Sequence, residues 1–253
     1  MGKYKVTGCI VTHNNISTIK RTLDSLLEFT ADDDFKLYIV DNSSTDGTPE
    51  FIEQNYPQLE LIRNNGNAGF GAGHNLVMDR LDSKYHVVIN PDITLRDDAV
   101  SALGDFLEEN DDVGMVSPKV CCSDGSMQIL GKRDPKLKYL VASRLRNEKK
   151  PSRLLREYAM LDADYTKPFD IENASGCFFM IRTELFKLIG GFDEGYFLYF
   201  EDSDITRTVR LTSRAVLCPS VVVYHEWERG SRHNWKLLLI HIRSMFYYMK
   251  KWR

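Results

Sequence analysis

Asn90-Pro91-Asp92 follows directly on the apolar run Tyr85-His86-Val87-Val88-Ile89. A short apolar run that stops at an acidic residue reads as a buried strand with a carboxylate at its tip. In open α/β sheets, ligands bind at such carboxyl ends. Leu37-Tyr38-Ile39-Val40 makes the same offer before Asp41-Asn42-Ser43-Ser44, and Tyr199-Phe200 leads into Glu201-Asp202-Ser203-Asp204. His225 ends a further run, Val223-Tyr224. Hard divalent cations take one or two carboxylates plus substrate phosphates, so Asp92 alone could serve one. Asp41 could accept from a base N–H, and a carboxylate of the 201–204 group could take a proton. Each has a plainer reading: Asn-Pro-Asp as a stiff turn, Asp41 capping the next turn, the three acids steadying a helix start, His225 as a structural hydrogen-bonder.

The elements that must position these groups alternate over the first 120 residues. Val6 to Val11 reads as a buried strand ending in Thr12-His13-Asn14-Asn15. Ser17 to Phe29 carries Ile19, Leu23, Leu26 and Leu27 at helical spacing. Leu37 to Val40, Leu59 to Ile62, His86 to Ile89 and Val113 to Val120 read as strands, with helices from Thr48-Pro49 and over Asp97 to Leu107. The pattern predicts an α/β fold with a mainly parallel central sheet and flanking helices. Gly176 to Arg182 reads as a later strand, and a helix is expected from near Ser203 to Leu211.

The totals narrow the class. The chain has 253 residues, 43% hydrophobic and 27% charged, with a formal net charge of −3. That size builds a core without disulfides, and the charge gives no bias toward nucleic acid. Cys9, Cys121, Cys122, Cys177 and Cys218 fit no zinc spacing and read as thiols of a reducing compartment. No signal-peptide pattern and no run of about 20 apolar residues is present, so a cytoplasmic location is expected. Asn173-Ala174-Ser175, a glycosylation acceptor pattern, is then inert.

Two motif readings fail on detail. Gly66 to Gly73 is glycine-rich, but no phase gives glycines at the first, third and sixth positions, and the first strand ends without any. The dinucleotide-binding fingerprint is therefore not met, which argues against an NAD enzyme. The glycines still permit close backbone approach to a ligand, with amides exposed at a helix start near Asn75; a purely structural turn is the alternative. Asp41 to Gly47 has its glycine one place late for a calcium loop and Ile52 where Glu is required.

Taken in order, Ile10 to Asn14, Val40 to Ser44 with Asp46-Gly47-Thr48, Asn64 to Asn75, Asn90-Pro91-Asp92, Gly176 to Arg182, Gly191 to Glu194, Tyr199 and Glu201 to Asp204 form one pattern. It resembles the inverting family-two glycosyltransferases of GT-A fold, in their bacterial rhamnosyltransferase-like branch. The resemblance implies a nucleotide-sugar donor, rhamnose from dTDP-rhamnose first, and a glycan or lipid-linked saccharide acceptor in cell-surface polysaccharide synthesis. It implies Mg2+ or Mn2+ at Asp92 and His225, Asp202 as catalytic base, and Thr12, Asp41, Asn67, Gly69 and Asn90 around the nucleotide-sugar. Another donor, a UDP-hexose or galactofuranose nucleotide, remains open, as does a non-catalytic nucleotide-sugar- or glycan-binding module. The family's basic position after Asp204 holds Thr208 here, with Arg207 and Arg210 alongside.

Residues 1–231 are expected to form the catalytic domain, with a nucleotide-binding half (1–120) and an acceptor-binding half (121–231). Between Lys132 and Arg156 ten Lys/Arg face two acids, a solvated segment or a basic flap toward an anionic acceptor or membrane. Residues 232–253 read as a basic amphipathic helix that makes peripheral contact with the inner face of the cell membrane, or packs on the catalytic domain or a partner subunit.

Overall fold

The computed structural model describes residues 2–30, 34–145, 147, 149–226 and 235–253. The strands are β1 (Tyr4–Thr12), β2 (Phe35–Asp41), β3 (Glu60–Arg63), β4 (Ser83–Ile89), β5 (Ile93–Thr94), β6 (Val113–Cys121), β7 (Phe169–Asp170), β8 (Phe178–Arg182) and β9 (Arg214–His225). They form one sheet in the order β3-β2-β1-β4-β8-β6-β9-β5, with β7 paired to β9. From β3 to β4 the strands run parallel. β8 enters antiparallel to both β4 and β6, so the sheet is mixed, and β6 pairs with β9 in parallel. β1 and β4 are largely buried on both faces because helices cover both sides.

The helices are α1 (Ile19–Phe29), α2 (Thr48–Asn55), α3 (Phe70–Asn75), α4 (Ala99–Glu109), α5 (Leu137–Arg144), α6 (Arg153–Tyr158), α7 (Thr183–Leu188), α8 (Glu201–Val209) and α9 (Trp235–Lys251). α1 buries Ile19, Leu23 and Leu26, and Asp98 caps α4 by accepting from the Ser101 amide at 2.9 Å. One core cluster fills the face beneath α1 and α4, and a second fills the face beneath α7 and α8. A third, Tyr196, Phe200 and Tyr248, lies beneath α9.

Three local expectations are corrected. The helix of the glycine stretch starts at Phe70 and ends at Asn75, so the glycines lie at its start and within it. A Cβ on Gly71 would sit 2.7 Å from Phe192, and one on Gly73 2.7 Å from Val11. These two glycines admit neighbouring side chains, not a ligand. Next, α8 begins at Glu201, two residues before the expected start, because Tyr199 and Phe200 both adopt φ 70° and turn the chain sharply into it. A left-handed pair without glycine is costly and is held here by the packing of Phe200. Finally, the basic segment is partly folded. Lys132 is buried, Arg133 pairs with Glu172, and Lys138 pairs with Glu157.

Candidate active site

The site lies at the carboxyl ends of β1, β2 and β4. Parallel register sets Thr12 level with Asp41. The Thr12 hydroxyl donates to Asp41 Oδ1 at 2.9 Å, and the Ser44 hydroxyl and amide donate to Oδ1 and Oδ2 at 2.5 and 2.9 Å. Asp41 therefore closes its own loop, and counting lone pairs leaves one acceptor position, on Oδ2. Asn67 is exposed and accepts from the Gly69 amide at 3.0 Å. Gly69 has φ 95°, and a Cβ there would lie 2.2 Å from the Phe197 carbonyl oxygen, so close backbone packing already requires glycine.

Asn90-Pro91-Asp92 is a built loop. The Asn90 amide donates to the Cys177 carbonyl at 2.9 Å, and the Thr22 hydroxyl donates to that of Pro91 at 2.9 Å. β5 follows at once and pairs with the end of β9, Ile93 opposite His225. That pairing carries His225 Nε2 to 3.2 Å from Asp92 Oδ1. Gln128 fixes the ring. Its amide nitrogen donates to the His225 carbonyl at 2.7 Å, so its Oε1 faces Nδ1 at 3.1 Å. Nδ1 then carries the proton, and in the neutral ring Nε2 presents a lone pair. Asp92 Oδ1 is buried and forms no hydrogen bond with a described residue. A lone pair on Nε2 facing the carboxylate oxygen is repulsive, and either a proton on Nε2 or a metal cation between the two atoms relieves it. Two ligands about 2.1 Å from one metal at a right angle stand about 3.0 Å apart, so the pair fits a small divalent cation. The described residues hold no cluster of three or more such ligands. The remaining positions would fall to substrate oxygens and water.

Asp202 sits in the first turn of α8. Its Oδ2 accepts from the Gly176 amide at 3.0 Å and its Oδ1 from the Ser203 amide at 2.7 Å. Both bonds favour the ionised form, but burial outweighs them and raises its pKa above the ordinary carboxylate range. A raised pKa strengthens a carboxylate as a proton acceptor. Gly176 and Cys177 are consecutive, so a single peptide step ties Asp202 to the Asn90 loop. Asp202 opens on a cleft of about 250 Å³ whose wall includes Tyr158, Tyr199, Glu201 and His241.

The neighbouring acids have other surroundings. Glu201 is buried, its Oε2 has no partner among the described residues, and burial together with Asp202 pushes its pKa up to about 8. Asp204 is not a helix cap. Its carboxylate accepts from the Tyr196 hydroxyl at 3.1 Å, Lys251 Nζ at 2.8 Å and Trp252 Nε1 at 2.7 Å, which docks α9. Arg207 lies against the Trp252 ring at 4.7 Å, and Arg210 pairs with Asp134 at 2.8 Å. Both are committed to contacts within the chain.

Sequence reasoning missed Gln128, which carries no motif and matters only because β9 returns beside it. It also missed His241 as part of the cleft wall, since it lies nearly two turns in from the start of a helix read as separate. Lys132, inside the basic run, is buried with its ammonium 5.9 Å from the Tyr165 ring, and burial lowers its pKa to about 8.

The mixed sheet with helices on both faces is a GT-A-type fold, and the chain belongs to the family described as glycosyl transferase family 2, whose model matches residues 8–190. Among curated relatives, N-acetylglucosaminyl-diphospho-decaprenol L-rhamnosyltransferase of Mycobacterium tuberculosis is 25% identical over 256 residues, 94% of this chain and 82% of that protein. Rhamnosyltransferase WbbL of Escherichia coli is 25% identical over 259 residues, 96% and 92% of the two chains. Of solved structures, GalNAc-T7 with UDP, GalNAc and Mn2+ superposes at TM-score 0.68 with 16% identity, over 91% of this chain and 44% of that one. The mannosyltransferase PcManGT of Pyrobaculum calidifontis, with GDP-Man and Mn2+, gives 0.64 with 19% identity, over 96% and 65%. This chain thus spans less than two thirds of the length of either structure. No helix among the described residues is long and apolar enough to cross a membrane.

Proposed function

We propose that the chain transfers rhamnose from dTDP-rhamnose to a glycan or lipid-linked saccharide, with inversion, at the inner face of the cell membrane. The observation that supports the reading is the Gly176–Cys177 step, whose hydrogen bonds link the Asp202 carboxylate to the Asn90 loop that also carries the Asp92–His225 pair. The donor and acceptor assignments draw on the names of the two rhamnosyltransferase relatives, one of them specified for a diphospho-decaprenol acceptor.

In this reading residues 1–120 bind the nucleotide and 121–231 the acceptor. Thr12 and Asp41 shape the base pocket, with Oδ2 of Asp41 as the open acceptor. Asn67 and Gly69 flank the sugar-diphosphate, and Asn90 lies beside it. The acceptor hydroxyl enters the cleft by Tyr199 and attacks the anomeric carbon opposite the nucleotide. Asp202 takes its proton as the new C–O bond forms, and the nucleotide leaves with the electron pair of the old one. One displacement inverts the centre, so no covalent nucleophile is needed. Glu201, largely protonated at neutral pH, spares the site a second buried charge. Asp92 and His225 would hold Mg2+ or Mn2+, which when bound neutralises charge growing on the departing diphosphate.

The test is a hydrolysis and transfer screen across nucleotide-sugars with Mg2+, with Mn2+ and in excess EDTA. Cation-dependent turnover with dTDP-rhamnose preferred is expected. Preference for a UDP-hexose or galactofuranose donor would replace the donor assignment. Full turnover in EDTA would refute the metal role, and donor binding without turnover would make the chain a binding module.

A further inference from the structure

α9 has two faces of different fate. Ser244 and Tyr248 are buried against the body, and Lys251 pairs with Asp193 at 2.6 Å as well as with Asp204. These contacts fix the helix in rotation. Its opposite face then carries Trp235, Leu239, Ile242 and Phe246 to solvent, and Trp235 and Phe246 are 68% and 63% exposed. The spacing of four, three and four residues makes one continuous apolar row. Arg243 and Lys250 border it, and neither forms an ion pair with a described residue. Residues 235–253 contain five basic side chains and no acid.

α5 repeats the arrangement. Leu140 turns inward to the Phe200 cluster, while Leu137, Val141 and Leu145 are exposed. Lys149, Lys150 and Arg153 follow, all exposed. The two helices flank one opening: Leu140 of α5 and His241 of α9 line the same cleft as Asp202.

We propose that the outer faces of α5 and α9 form a docking surface for an anionic lipid bilayer, placing the mouth of the Asp202 cleft at headgroup level. This rests on the lipid-linked acceptor reading, since it brings the base to where such a saccharide emerges. Exposed apolar rows bordered by basic side chains suit an interfacial helix on anionic lipid. A second copy fits poorly. A two-fold contact through α9 would bring the basic side chains of one helix toward those of the other, with no acid on either helix to pair them.

The experiment is flotation of the full-length chain with phosphatidylcholine vesicles, with and without phosphatidylglycerol. Sedimentation velocity and dTDP-rhamnose hydrolysis in vesicle-free solution accompany it. Wild type should float only with the anionic vesicles, and high salt should release it. Leu239→Glu/Phe246→Glu should lower partitioning at least about 10-fold while hydrolysis in solution stays unchanged. Should that variant fail to fold, Val141→Glu/Leu145→Glu on α5 gives the same readout. Wild type that stays in solution, or both variants floating like wild type, overturns the proposal. A wild-type dimer split by Leu239→Glu/Phe246→Glu overturns it in favour of a second copy. Absent hydrolysis in every protein, with flotation as expected, would instead count against the catalytic reading alone.

Discussion

Asp204→Ala tests the division of labour among the three neighbouring acids. Asp204 is only 2% exposed, and its carboxylate is the shared acceptor for Tyr196, Lys251 and Trp252. Removing one partner of a fully buried pair costs about 3–5 kcal/mol. Lys251 is 34% exposed and also holds Asp193, so solvent and that second carboxylate soften its loss. The Tyr196 hydroxyl and the indole N–H are left without their acceptor, at about 1–3 kcal/mol for a buried donor. We expect a loss of about 3 kcal/mol, which for a domain of this size lowers Tm by about 6–12 °C. Thermal melts by circular dichroism measure it, and proteolysis should cut first near α9. Because His241 stands in the cleft wall, transfer should fall as well. Asp204→Asn, which keeps an acceptor oxygen, should lose less. A Tm shift below about 1 °C for Asp204→Ala would refute the docking role.

Gln128→Leu should leave the fold intact but free the His225 ring, lowering Mn2+ affinity about 10–100-fold in metal titrations of activity; unchanged affinity would mean that Gln128 does not set the tautomer. The Glu201 carboxyl is raised from its ordinary 4.5 to about 8, so the folded state binds more protons than the unfolded chain between those values. Its contribution is therefore present below about pH 4.5 and lost as pH rises toward 8, with Asp202 acting in the same direction. Denaturant titrations from pH 5 to 9 should show Glu201→Gln losing less stability over that window than wild type; parallel curves would contradict the shift.

The strand ends were legible because a buried parallel strand writes itself as an apolar run, and the polar residue that stops it is the one at the ligand edge. Asp41 and Asp92 read out this way as strand-end groups, whereas Thr12 and the choice of Asp202 came from the resemblance carried by the order of motifs. What the sequence hid was long-range. His225 reaches Asp92 only because two-residue β5 pairs with β9, more than 130 positions away. The glycines of residues 69–73 looked made for a ligand, but Gly71 and Gly73 accommodate Phe192 and Val11. An apolar helix reads the same whether packed or exposed, so only the contacts of Asp204, Asp193 and Tyr248 could divide the faces of α9. Lys132 was hidden within a run of surface charge, although its neighbours bury it.

The central claim is that Asp202 removes the acceptor proton beside a donor held at Asp92 and His225. It is tested most directly by measuring donor affinity and transfer rate side by side for wild type, Asp202→Asn and Glu201→Gln. The account predicts that Asp202→Asn binds dTDP-rhamnose with unchanged affinity in the presence of Mn2+ and loses transfer by about 10²–10⁴-fold, while Glu201→Gln retains most of it. Near-normal transfer by Asp202→Asn, with collapse in Glu201→Gln, would contradict the account and move the base one residue upstream.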